Sequence, residues 1–124
     1  MTIKYTPDHE WVRIEGKVAT IGITQHAQDA LGDVVFVDLP TIGKHYAQKD
    51  AAAVVESVKA AADVYMPAAG KVTEVNETLR ADPSLANSDP LGAGWFFKAE
   101  LDNPGDLDAL MDETAYTRFA AESH

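Results

Sequence analysis

The sequence predicts a mainly β fold: a small sandwich or barrel with a helical tail packed on it. Three observations carry that expectation. Short segments alternate apolar and polar residues, glycine and proline break the chain between them, and after Asn103-Pro104-Gly105 the apolar residues shift to helical spacing.

Trp11 to Ile23, WVRIEGKVATIGI, alternates about Glu15-Gly16 and reads as a hairpin. Thr24 is placed to cap a short helix through Leu31, with Gly32 at its exit. DVVFVDL, residues 33–39, is an apolar run bounded by Pro40 and Gly43 and reads as a buried strand. Gly70 to Val75 and Trp95 to Leu101 read as further strands. Between them RADPSLANSDPLGAG, with Pro83, Pro90, Gly92 and Gly94, reads as irregular chain. In the tail Leu107, Leu110 and Met111 recur at helical spacing behind Asp106 as a cap, and Tyr116 and Phe119 mark a second helical piece.

The stretch VVESVKAAADVYMPAAGKV, residues 54–72, admits two readings. Gln48 to Val64 makes an amphipathic helix, with Val54, Val55, Val58 and Ala62 on one face and Glu56 and Lys59 as an i, i+3 pair. Alternatively, strands near Ala51–Val55 and Val64–Met66 are joined by a tight turn carrying Lys59 at its tip. The turn lacks the Asn-Gly or Asp-Gly pair that two-residue hairpins prefer, whereas the surrounding chain is β. Residue physics leaves the two nearly even.

Bulk composition narrows the function. The chain has 124 residues, room for one domain with its own core. Its longest apolar run, Ala51 to Val55, is too short to cross a bilayer, and MTIKYTPDHEW has neither the order of a secretory signal nor the arginines of a transit peptide, so a cytoplasmic protein is expected. A formal charge of −10 argues against binding nucleic acid, and the lack of cysteine removes thiol chemistry and cysteine-ligated zinc. No G-x-x-x-x-G-K-[ST] loop or G-x-S-x-G elbow is present, and His9-Glu10 has no second histidine at zinc-protease spacing. His9, His26, His45 and His124 form no ligand pattern. A Schiff-base role for Lys59 is opposed by Glu56 and Asp63, whose charges favour the ammonium form.

Six blocks along the chain carry a resemblance: YTPDHEW at 5–11, VATIGIT at 18–24, HAQDALGDVVFVDLP at 26–40, ESVKA at 56–60, PAAG at 67–70 and GAGW at 92–95. In this order they resemble the glycine cleavage system H protein family, built on the lipoyl-domain fold. The resemblance implies a single lipoyl-type domain, a β-sandwich of the barrel-sandwich hybrid type. Its core is expected over about residues 18–101, with a helix near 24–31 and a helical tail over about 105–122. It resolves the local dispute in favour of the hairpin and makes Lys59 the site where lipoic acid is attached through an amide. Val58 and Ala60 beside the lysine differ from the methionines of biotin carriers. Ala30 and Ala93 stand where family members often have larger or charged residues.

The family's activity implies a monomeric carrier rather than an enzyme. It would take an aminomethyl group from a pyridoxal-phosphate glycine decarboxylase to a tetrahydrofolate-dependent aminomethyltransferase, and its dithiol to the FAD enzyme dihydrolipoamide dehydrogenase. Lipoyl-attaching enzymes are further partners. A cationic amine on the arm calls for carboxylates, for which Glu10 and Asp63 are the candidates and Asp8 a third. Glu56 is the candidate for recognition by the attaching enzyme, while Ser57 and Val58 shape the turn. A lipoyl or octanoyl relay in lipoate metabolism would use the same lysine and stands as the alternative.

Overall fold

The computed structural model describes residues 2–122; His124 lies outside them. Among the described residues nine strands form two antiparallel sheets. The larger contains β1 (Thr2–Tyr5), β2 (Glu10–Glu15), β3 (Val18–Ile23), β5 (His45–Tyr46), β8 (Gly70–Val75) and β9 (Phe97–Leu101), in the order β1-β2-β3-β9-β8-β5. The smaller contains β4 (Val34–Asp38), β6 (Ala51–Ser57) and β7 (Ala61–Tyr65), in the order β4-β6-β7. Val12, Ile21 and Phe97 from the first sheet and Val37, Val55 and Val64 from the second meet in one buried cluster. The mainly β expectation therefore holds, including the hairpin about Glu15-Gly16, whose register pairs Glu15 with Val18.

Packing at the N-terminal hairpin explains one small residue. Trp11 pairs in register with Gly22, and a Cβ on Gly22 would lie 2.6 Å from the indole ring. The indole is buried and donates to the Pro90 carbonyl at 2.9 Å, which ties the long loop down onto β2.

Helix α1 (Gln25–Leu31) begins and ends as the sequence indicates: Thr24 Oγ1 accepts from the Ala27 amide, and Gly32 at φ +76° closes the helix. Three expectations need correction. First, the strand expected over residues 33–39 forms as β4 but is only partly buried. A bulge between Val34 and Phe36 turns Val35 and Phe36 outward, leaving Val34 and Val37 buried. Second, the stretch read as irregular holds α3 (Leu85–Ser88) and the end of α2 (Glu77–Ala81), elements too short for a periodic signal. Third, the start of the tail is a 3₁₀ helix over Pro104–Ala109 capped by Asn103, whose side chain accepts from the Gly105 amide, in place of Asp106. Helix α4 (Glu113–Glu122) follows and places Tyr116 and Phe119 as expected. The edge strand β1 carried no sequence signal.

A second aromatic cluster docks α4 on the body. Tyr116 stacks on Tyr5 at 4.6 Å, and its hydroxyl meets both His9 Nδ1 at 2.8 Å and Thr24 Oγ1 at 2.6 Å. His9 in turn stacks on His26 at 4.1 Å. No helix among the described residues is long and apolar enough to cross a membrane.

Candidate functional site: a lysine at a hairpin apex

Strands β6 and β7 pair through Glu56↔Ala61, and the Ser57 amide donates to the Ala60 carbonyl at 2.8 Å, so Val58 and Lys59 are the loop. Residues 51–65 are thus two strands and not a helix, since pairing as strands puts Val55 and Val64 on one face that is buried against the larger sheet. Positive φ among the described non-glycine residues occurs only at His9 and Lys49, so this turn does not use the mirror-image geometry that favours Asn-Gly. Ser57 compensates. Its hydroxyl accepts from the Lys59 and Ala60 amides, each at 3.1 Å, and donates to the Ala60 carbonyl at 3.1 Å.

The tip is braced from below. The Val58 amide donates to the Asp33 carbonyl at 3.0 Å, fastening the loop to the entry of β4. The Lys59 side chain passes over Gly32, where an added Cβ would sit 3.4 Å from Cε and 3.8 Å from Nζ. Gly32 is itself held by Asn87 of α3, whose side-chain amide donates to the Gly32 carbonyl at 2.8 Å and to Gln28 at 3.0 Å. The Asn87 carbonyl accepts from the Val34 amide at 2.8 Å. One asparagine thus locks the end of α1 to the start of β4 beneath the lysine. Sequence reasoning missed it, since an asparagine in a turn-rich stretch carries no distinguishing signal.

Lys59 is exposed, and among the described residues its Nζ takes part in no hydrogen bond or ion pair. Glu56 is also exposed, faces Phe36 and Ala61 in the register, and makes no ion pair with Lys59. Ala30 is exposed on α1, away from the core.

The acidic candidates lie farther down β7. At about 3.3 Å per residue, Asp63 stands roughly 13 Å and Tyr65 roughly 20 Å along the strand from Lys59. Asp63 is exposed, and the Tyr65 hydroxyl approaches its carboxylate at 3.5 Å. Asp8 is exposed and shares a surface pocket with Pro7, Lys49 and Tyr65. Glu10 differs from both: only 2% exposed, it accepts from the Tyr65 amide at 2.6 Å and from the Thr6 hydroxyl at 3.0 Å. It therefore bridges β2 to β7, the free edge of the smaller sheet, and caps an amide that would otherwise lack a strand partner. Burial pushes its carboxyl up to about 7, against the two hydrogen bonds that favour the anion. Asp8, Glu10 and Asp63 all bear on Tyr65, whose phenol is raised above its ordinary value chiefly by Asp63.

Two antiparallel sheets thus present an exposed lysine at a hairpin apex, braced by the end of a helix. The chain belongs to the glycine cleavage H-protein family, whose model, described as "Glycine cleavage H-protein", matches residues 3–123. It is 57% identical over 119 residues to the glycine cleavage system H protein of Thermotoga maritima, covering 96% of each chain. It is 52% identical over 120 residues to that of Symbiobacterium thermophilum, covering 97% of this chain and 94% of the relative. The crystal structure of a glycine cleavage system H protein from Mycobacterium marinum superposes with a TM-score of 0.84 at 34% identity, covering 97% of this chain and 94% of that one.

Proposed function

We propose that Lys59 bears lipoic acid in amide linkage and that the chain, as one lipoyl-type domain, is the shared lipoyl carrier of glycine cleavage. Its clients on this reading are glycine decarboxylase, the tetrahydrofolate-dependent aminomethyltransferase and dihydrolipoamide dehydrogenase. It works beside them in the cytoplasm as a monomer, and is a substrate of each rather than an enzyme. The observation that supports this most is the exposed, unengaged Nζ of Lys59 at the hairpin apex. Membership of the H-protein family supports the same reading.

The residues at the site fit the group. Gly32 leaves room beside the end of the side chain, whose Cε and Nζ pass over it, and Lys59 is exposed. In attachment, the Lys59 nitrogen attacks the carbonyl carbon of an activated lipoyl donor. A C–N bond forms, the activating group leaves with its electron pair, and the two surplus protons of the ammonium pass to solvent. Once bound, lipoate supplies a dithiolane whose sulfurs accept electrons and cargo from the client enzymes.

The chain's own residues do the rest. Ser57 and the Val58–Asp33 bond hold the root of the arm still, which keeps its swing centred on one point. Glu56 stands beside the apex for recognition by the attaching enzyme. Asp63 on β7 and Asp8, beside Tyr65 in the turn before β2, offer carboxylates to a cationic amine. Glu10 works from beneath them: a carboxyl kept buried and shifted near neutrality is the kind of group that accumulates at functional sites.

Intact mass spectrometry tests the reading. Protein expressed with lipoate available should gain one lipoyl group, and Lys59→Arg should gain none. An unmodified parent, or modification that persists in Lys59→Arg, overturns it. Aminomethyl transfer assayed with the three client enzymes, against acyl relay to a lipoyl-free 2-oxoacid dehydrogenase domain, separates glycine cleavage from the relay alternative.

A further inference from the structure

Three apolar side chains are uncovered near the apex: the bulge in β4 exposes Val35 (56%) and Phe36 (50%), and the hairpin tip itself exposes Val58 (68%). They are neighbours by construction. Phe36 pairs in register with Glu56, two residues before Val58, and the Val58 amide is bonded to Asp33, two residues before Val35. An unbulged β4 would turn either Val35 or Phe36 inward, so the irregularity sets two exposed apolar side chains side by side at this edge. Uncovered apolar surface of this kind costs solubility and marks a place where something docks. Asp33 and Glu56, both exposed, border the patch, within a chain whose formal charge is −10.

We propose that Val35, Phe36 and Val58 form the docking epitope for the lipoyl-attaching enzyme, which meets them with an apolar groove rimmed by basic side chains. The proposal rests on Lys59 being the attachment point. Distance along the arm selects this partner. An enzyme that bonds directly to Nζ must close around the root of the side chain, where the patch lies. Enzymes that act at the far end of a loaded arm can work without touching the root. The acidic border fits a basic rim, which would speed encounter and make it sensitive to salt.

The test is the rate of lipoylation of the apo-protein by a purified lipoate-protein ligase, read by intact mass, with the dissociation constant of the same pair measured by titration calorimetry. Phe36→Ser should raise KM and the dissociation constant about tenfold with kcat unchanged, the loss typical of an aromatic anchor. Ile42→Ser, equally exposed but beyond the far end of β4, should match the parent. Val35→Thr, isosteric and suited to a strand, should move the same constants in the same direction if Phe36→Ser lowers the melting temperature. Raising the salt should weaken the parent more than Asp33→Asn/Glu56→Gln. A lipoylated parent whose Phe36→Ser and Val35→Thr variants keep parental constants overturns the docking proposal alone. A parent that is never lipoylated overturns the attachment reading and this proposal with it.

Discussion

Glu10 makes a prediction opposite in sign to that of most carboxylates. Its folded-state pKa of about 7 stands above the ordinary 4.5, so between those values the native protein binds more protons than the unfolded chain. Stability attributable to this residue is therefore fully present below about pH 4.5 and lost as the pH rises through 7. The displacement corresponds to about 3 kcal/mol. Glu10→Gln keeps the shape and can still accept from the Tyr65 amide, while its other end can donate to the Thr6 hydroxyl, which already lies at 3.0 Å. It removes only the titration. Urea unfolding, followed by the fluorescence of buried Trp11, should give parent and variant nearly equal stability at pH 4.5. At pH 8 the variant should be the more stable by about 3 kcal/mol. Every other carboxylate is common to the two proteins and cancels in the difference. Curves that run parallel from pH 4.5 to 8 would refute the claim that burial governs this group.

Two further perturbations address the scaffold. Asn87→Ala removes three hydrogen bonds that join α1, α3 and β4, and should cost about 3 kcal/mol, or about 10 °C in Tm, by calorimetry; a loss under about 1 kcal/mol would refute its bracing role. His9 is pushed below its ordinary 6.5 by burial first and by stacked His26 second, with Asp8 opposing. Its contribution is thus lost as the pH falls below about 6.5, and the protection of α4 amides relative to their intrinsic exchange rates should fall at pH 5 in the parent more than in His9→Asn, which tolerates the positive φ of +66° at that position.

What the sequence determined by itself was local or patterned. The Glu15-Gly16 hairpin, the Thr24 cap, the Gly32 exit, the strand Gly70–Val75 and the strand read over Trp95–Leu101, which begins at Phe97, each have signals written within a few neighbouring residues. The family could be read from six ordered blocks, and with it the lysine worth examining. Residues 51–65 needed more, since alanine and valine at these spacings suit a helix as well as two strands. The family resemblance pointed to the hairpin, and burial of Val55 and Val64 against the opposite sheet is the physical reason for it. Tertiary packing likewise decided the bulge that exposes Phe36, the position of Asn87 beneath the arm, and the burial of Glu10, which depends on β7 being an unpaired edge. Each of these depends on segments distant in sequence meeting in space. A residue's charge state or exposure is set by those neighbours, and no run of adjacent letters records them.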